Sequence, residues 1–191
     1  MKAPLLIVIL VLMSIVVFSG CSNSEQTEAV DERTGKMMLV NEVKVEQFQS
    51  AEYAGWFTEQ YDFYEPDDEV LALIKDNMES ISFKIFLGTW CKDSKREVPR
   101  FLKILDGISY DLSHIEFVGL DRAKTCPGKL EKGYGIEFVP TIIVNKNGNE
   151  IGRIIEYPII SLEQDLLVIL TGIVETVSIQ FKSYRGKYGR V

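Results

Sequence analysis

Histidine and cysteine are scarce in this sequence, and acidic residues outnumber basic ones. The 191 residues include one histidine and three cysteines, which is too few for an ordinary zinc site or for a disulfide scaffold. With 21 basic and 28 acidic residues, the formal net charge is −7. The chain therefore lacks the positive charge that typifies nucleic-acid-binding proteins. We expect no metal, no other cofactor and no nucleic acid partner.

The first twenty residues have the pattern of an export signal. Lys2 precedes an apolar run over residues 5–18, and the small residues Ser19 and Gly20 follow it. The run is shorter than the roughly 20 apolar residues that cross a bilayer. We therefore predict that residues 1–20 are a signal peptide rather than a membrane-spanning helix.

A cysteine follows the signal pattern directly. Residues 18–21 read FSGC and resemble the lipobox of bacterial lipoproteins, although Phe18 stands where leucine is usual. The resemblance implies that Cys21 is lipidated and that the protein is exported and membrane-anchored, facing the periplasm or the cell exterior. Export as a soluble protein is the alternative. Residues 22–36 are polar and carry few apolar side chains, so we predict a lipidated, flexible tether over residues 21–36.

The composition becomes globular from residue 37, and the hydrophobic content of the whole chain, 46%, suits one domain. Aromatic residues recur every three or four positions between residues 52 and 64, which predicts a helix. Pro66-Asp67-Asp68 marks the start of a second helix that ends near Glu79. Residues 37–80 are thus predicted to form an N-terminal helical extension.

The next segments alternate between strand and helix patterns. Residues 81–87 form an apolar run typical of a buried strand, residues 92–105 have helical periodicity, and residues 115–120 are a second apolar run. A strand, a helix and a strand predict a parallel crossover unit. Residues 141–144 and 150–155 flank Asn147-Gly148, a hairpin turn signal, and a helix over residues 162–170 closes the pattern.

Four motifs occur in order within this region. Trp90-Cys91-Lys92-Asp93-Ser94 follows the first strand, and Pro99 comes eight residues after the cysteine. Tyr134-Gly135-Ile136 leads to Val139-Pro140-Thr141, and Asn147-Gly148 follows. The ordered set resembles the thioredoxin family over residues 81–173. The resemblance implies a thioredoxin-like three-layer α/β/α fold with a central mixed sheet, preceded by the helical extension and followed by a C-terminal extension over residues 174–191.

Cys91 is the candidate catalytic nucleophile. A cysteine at the beginning of a helix lies near the positive end of the helix dipole, which favours the thiolate. Lys92, Lys95 and Arg96 add positive charge, whereas Asp93 opposes it. A small buried hydrophobic residue is the alternative interpretation of Cys91.

The resemblance also implies a substrate edge. In the family, the bond before the proline is cis, and the preceding backbone pairs with an extended substrate beside the reactive sulfur. Trp90, Val139 and Pro140 would bind substrate here. A proline that simply begins a strand is the alternative.

Several positions depart from the family pattern. Ser94 replaces the second motif cysteine, so a dithiol cycle within the motif is excluded. Ile85 and Phe117 stand where the family has a buried acid and its partner lysine. Ser94 is the second candidate catalytic residue, because its hydroxyl could donate a hydrogen bond to the Cys91 thiolate. These changes favour either a monothiol that forms mixed disulfides or a scaffold without redox chemistry.

Cys126 follows the second crossover strand, whose end lies at the same sheet edge as Cys91. It is a candidate resolving thiol, and a loop thiol without a partner is the alternative.

Two functions remain open at this stage. The first is a membrane-tethered extracytoplasmic thioredoxin-like thiol-disulfide oxidoreductase that acts through one motif cysteine on a client protein or a small thiol. The second is a thioredoxin-like peptide-binding lipoprotein without enzymatic activity.

Overall fold

The computed structural model describes residues 26–172. The predicted signal peptide, Cys21 and the C-terminal extension over residues 174–191 lie outside the described residues. Among residues 26–172, no helix is long and apolar enough to cross a membrane.

The fold is built on a mixed five-stranded sheet with the strand order β3-β5-β4-β6-β7. β4 and β5 are parallel, whereas the β3–β5, β4–β6 and β6–β7 pairs are antiparallel. A separate two-stranded hairpin pairs β1 with β2. The strands are β1 Glu28–Val30, β2 Met37–Leu39, β3 Asn41–Val43, β4 Ile81–Leu87, β5 Ile115–Gly119, β6 Thr141–Lys146 and β7 Asn149–Ile155.

Four α-helices accompany the sheet in the described part of the chain. The Asp67 side chain accepts hydrogen bonds from the first backbone amides of α2, and the Ser161 side chain caps α4 in the same way. Pro99 lies inside α3, at the position given by its motif. The helices are α1 Ala54–Phe63, α2 Asp68–Lys75, α3 Lys92–Gly107 and α4 Leu162–Thr171. The crossover unit, the hairpin turn and the closing helix predicted from the sequence are all present.

The two faces of the sheet are covered differently. Alternate residues of β4, such as Phe83 and Ile85, pack with buried side chains from all four helices in the main core. Phe86 points to the other face, where it packs with Val118, Ile143 and residues of the 121–140 segment. That segment contains no helix, and Lys124, Lys129, Gly133 and Gly135 in it have positive φ. The mixed α/β fold is therefore as predicted, but a loop covers the face where a further helical layer was expected.

The predicted flexible tether over residues 21–36 is too long. Glu28–Val30 pairs with Met37–Leu39, and the intervening turn is closed by Asp31, whose side chain is 3% exposed. Arg122 donates two hydrogen bonds of 2.8 Å to the Asp31 carboxylate. The polar composition misled the prediction because strand pairing and an ion pair with a residue far along the chain fix this segment to the domain.

The extension over residues 37–80 is only partly helical. It contains β2 and β3 before its helices, and β3 pairs with β5 as an edge strand of the main sheet. The sheet therefore begins at Asn41, about forty residues before the predicted start at residue 81. A three-residue strand reading Asn-Glu-Val carries little pattern in the sequence.

Candidate active site

Cys91 caps the N-terminus of α3. Its backbone is extended (φ −88°, ψ 133°), its N–H donates to the Gly88 carbonyl at 2.8 Å, and its carbonyl accepts from Lys95 N–H at 3.1 Å. The first amides of a helix have no intrahelical partners, so the thiol lies beside the positive end of the helix dipole. The residue is half-buried.

Val139 lies opposite this sulfur. The Cys91 thiol donates to the Val139 carbonyl at 3.2 Å, and the Val139-Pro140 peptide bond is cis, as the resemblance implies. Both residues are buried at the start of β6. The structure thus brings together three of the predicted site residues.

Trp90 is held by contacts on two sides. Its indole Nε1 donates to the Leu120 carbonyl at 2.8 Å, and the Arg122 guanidinium lies over its ring, 4.9 Å from the centroid. Gly88 permits this packing, because a Cβ there would lie 2.6 Å from the ring. The tryptophan therefore forms a fixed wall beside Cys91.

Ser94 faces the end of β4 rather than Cys91. It is fully buried, and its Oγ accepts a hydrogen bond from Gly88 N–H at 3.1 Å. Within residues 26–172, the predicted hydrogen bond from Ser94 to Cys91 is not observed. Ser94 instead fixes the turn that carries Trp90 and Cys91. Ile85, at the position of the family's buried acid, belongs to the apolar core.

The positive charges near Cys91 differ from those predicted. Arg96 pairs with Asp93 at 2.8 Å and also with Glu97, which reduces its effect on the thiol. Lys95 and Arg122 each interact electrostatically with Cys91. Sequence reasoning missed Arg122, although its position just after β5 places it at the same sheet edge as Cys91.

Cys126 is buried on the sheet face that the 121–140 segment covers. It belongs to the same apolar cluster as Phe86 and Val139, and Trp90 and Cys91 pack against that cluster. Its thiol donates to Glu131 Oε2 at 3.2 Å, and Leu130 N–H donates to its sulfur at 3.3 Å. Burial raises the pKa of this thiol, and the Glu131 carboxylate raises it further. The hydrogen bond from the Leu130 amide acts in the opposite direction. Both cysteines are free thiols.

Among residues 26–172, no three histidine, cysteine, aspartate or glutamate side chains cluster in a way that could hold a metal ion. The chemistry available at this site is that of the Cys91 sulfur.

Comparison with known proteins identifies a relative. A thioredoxin from Echinococcus granulosus is 37% identical over 70 residues, a match that covers 37% of this chain. This similarity supports a thioredoxin-like protein. The chain spans 60% of the length of that thioredoxin. No protein-family model matches the chain.

Solved structures with a similar fold include a protein of unknown function from Pseudomonas aeruginosa. It has a TM-score of 0.50 and 15% identity, and the match covers 64% of this chain and 86% of that one. A thioredoxin from Fasciola hepatica matches with a TM-score of 0.30 and 20% identity, over 44% of this chain and 74% of that one. The similarity to the Pseudomonas aeruginosa protein supports the fold.

Proposed function

We propose that this chain is a thiol-disulfide oxidoreductase in which Cys91 acts without a second motif cysteine. The observation that carries the proposal is the position of the Cys91 sulfur, half-buried at the N-terminus of a sixteen-residue helix and 3.2 Å from the Val139 carbonyl. The sulfur lies beside the unpaired helix amides, and Lys95 and Arg122 interact electrostatically with Cys91.

The reaction proceeds through a mixed disulfide. The Cys91 thiolate attacks one sulfur of a substrate disulfide, a bond forms between the two sulfurs, and the substrate's own S–S bond breaks. The departing sulfur leaves as a thiolate and takes a proton from water. A second thiol, from the client or from a small molecule, then attacks the mixed disulfide and releases Cys91. With serine at position 94, this second thiol comes from outside the motif.

The reaction is tested by exchange with 2-hydroxyethyl disulfide, followed by intact-mass measurement under native conditions. In a Cys21→Ser background, which removes the third cysteine of the chain, we expect one adduct on the parent protein and on its Cys126→Ser variant, and none on its Cys91→Ser variant. The Cys126→Ser variant is the matched control, because it removes the other thiol of the described domain. A wild-type protein that stays unmodified until it is denatured would refute the proposal.

A peptide-binding protein without turnover is the second candidate. The observations that favour it are the apolar surroundings of Ile85 and the hydrogen bond that holds Ser94 to Gly88, because the proton-transfer groups of the family are absent. Such a protein would leave Cys91 unreactive while still binding an extended peptide beside Val139.

We also propose that the domain is exported and anchored to a membrane by a lipid on Cys21. The sequence pattern of residues 1–21 supports this part, and the candidate site on the domain would then face the periplasm or the cell exterior.

A further inference from the structure

A small cavity lies beside Trp90, between the β1–β2 hairpin and the first turns of α1 and α3. Its volume is about 310 Å³, and Trp56 and Trp90 contribute aromatic walls. This volume is at the lower end of the range for small-molecule sites. We call it the Trp90 cavity.

The Trp90 cavity carries more positive than negative charge. Lys36, Lys95 and Arg122 line it, against Asp31 and Glu52. Arg122 and Asp31 pair with each other at 2.8 Å. The remaining charges of the lining are therefore the two positive lysines and one negative glutamate. Within residues 26–172, neither Lys36 nor Lys95 makes an ion pair at salt-bridge distance.

The charge of Lys36 acts on Lys95. Burial lowers the pKa of Lys95, and the Lys36 charge lowers it further, while Glu52 and Cys91 raise it. The Lys95 ammonium lies over the Trp56 ring, 5.8 Å from the centroid. An anion between the two ammonium groups would offset their repulsion.

Tyr53 forms part of the wall of the cavity. Its side chain is 2% exposed, and its hydroxyl is buried with no hydrogen-bond partner among residues 26–172. This side of the cavity is therefore a packed wall, and the polar groups that face a ligand are those of the lysines.

The Trp90 cavity shares residues with the surroundings of the reactive sulfur. Trp90 directly precedes Cys91, and the charges of Lys95 and Arg122 both act on the Cys91 thiol. A molecule with its negative end in the cavity could therefore present a sulfur a few bonds away to Cys91.

We propose that the Trp90 cavity is a subsite for the carboxylate of a small thiol or disulfide whose sulfur exchanges with Cys91. This inference rests on the proposed thiol-disulfide exchange and names its substrate class. The Cys91 thiolate attacks the disulfide sulfur nearer the bound carboxylate, a mixed disulfide forms, and the other half leaves as a thiolate that is protonated by water. Lys36 and Lys95 bind the carboxylate throughout.

The test compares three disulfides of similar size and different charge. These are 3,3′-dithiodipropionate, which is dianionic, 2-hydroxyethyl disulfide, which is neutral, and cystamine, which is dicationic. Each rate of adduct formation on Cys91 is divided by the rate of N-acetylcysteine amide, a thiol without a carboxylate, with the same disulfide, so that intrinsic reactivity cancels. We expect a preference of about tenfold for the dianion over the neutral disulfide, equivalent to about 1.4 kcal/mol. The chain's formal net charge of −7 would by itself give the opposite order.

Variants distinguish binding in the subsite from a general electrostatic effect of the positive charges around Cys91. We expect Lys36→Gln combined with Lys95→Gln to abolish the preference. Lys92→Gln removes an exposed charge next to Cys91 but outside the cavity, so this control should keep the preference. Equal normalised rates for the three disulfides, or a preference lost equally in the Lys92→Gln control, would overturn the proposal.

A binding measurement keeps the subsite distinguishable from the exchange reaction. Suberate matches dithiodipropionate with carbon in place of sulfur and cannot react. Should Cys91 react with none of the disulfides, the proposed function fails, and suberate binding to Cys91→Ser then decides the subsite. Saturable NMR shifts at Tyr53 and Trp56 that disappear in the double lysine variant would support the subsite, and their absence would overturn it.

Discussion

The two cysteines of the described domain have opposite surroundings. Cys91 lies at a helix N-terminus within reach of solvent, and two cationic side chains act on it. Cys126 is 5% exposed, and its thiol donates to the Glu131 carboxylate. Because the thiolate is the reactive form of cysteine, burial and a neighbouring negative charge make Cys126 the less reactive thiol.

This contrast predicts different alkylation rates. With iodoacetamide near neutral pH, Cys91 should be modified at least tenfold faster than Cys126, because the pKa of Cys126 is raised by burial and by Glu131. Peptide mapping after timed quenching measures both rates in one sample. The Glu131→Gln variant is a control that should speed modification of Cys126 and leave Cys91 unchanged. Equal rates at the two positions in the wild type would contradict this interpretation.

The sequence predicts some parts of the site and not others. Cys91, Trp90 and the cis bond before Pro140 follow from local motifs, and the structure brings these residues together. Arg122 was missed because its role depends on Asp31, which lies 91 residues away in the chain. The orientation of Ser94 was also missed, because a buried hydroxyl bonds to whichever backbone group the turn presents.

The N-terminal hairpin packs closely against the end of β5. A Cβ at Gly119 would lie 2.5 Å from the Leu39 carbonyl oxygen and 2.9 Å from Val40 N. Both contacts are with backbone atoms, which cannot move away by adopting another side-chain rotamer. This close approach holds the hairpin beside Trp90 and Arg122, and so shapes the Trp90 cavity.

We therefore expect Gly119→Ala to destabilise the domain by about 1–3 kcal/mol, the usual cost of overpacking. The Gly55→Ala control lies in α1, where an added Cβ meets nothing within 4 Å, and should stabilise the domain by up to ~1 kcal/mol through helix propensity. Urea unfolding of both variants, with the slope of each transition as a check on cooperativity, measures the difference. Wild-type stability in Gly119→Ala would contradict the close packing of the hairpin.

The regular elements of the core were predicted more accurately than the N-terminal part. β4, α3 and β5 have strong periodicity, and capping residues such as Asp67 mark the helix starts. β1 and β3 are three-residue strands whose partners lie far along the chain or across a polar turn. Their pairing is a tertiary effect that a local pattern does not encode.

The β1–β2 hairpin limits how far the domain could lie from a membrane to which Cys21 is anchored. Six residues, 22–27, separate Cys21 from the first residue of β1, and such a segment spans at most ~21 Å when fully extended. A lipid on Cys21 would thus hold the domain close to the bilayer surface.

The proposed anchor predicts that Cys21→Ser moves the protein from the membrane fraction to the soluble fraction. Fractionation followed by immunoblotting measures this, with Cys126→Ser as the control that should stay with the membrane. Retention of Cys21→Ser on the membrane with its first twenty residues uncleaved would contradict lipidation.

Thiol-driven turnover of 2-hydroxyethyl disulfide tests most directly whether one thiol suffices for catalysis. With excess reduced thiol, repeated exchange at Cys91 should produce many equivalents of mercaptoethanol per protein molecule. Cys126→Ser should turn over at a rate within about twofold of wild type. The reason is that both steps, formation and release of the adduct, involve only Cys91 and external thiols. Cys91→Ser should be inactive. Loss of turnover in Cys126→Ser would contradict the one-thiol mechanism, and a wild-type protein that forms neither an adduct nor mercaptoethanol would favour the binding protein instead.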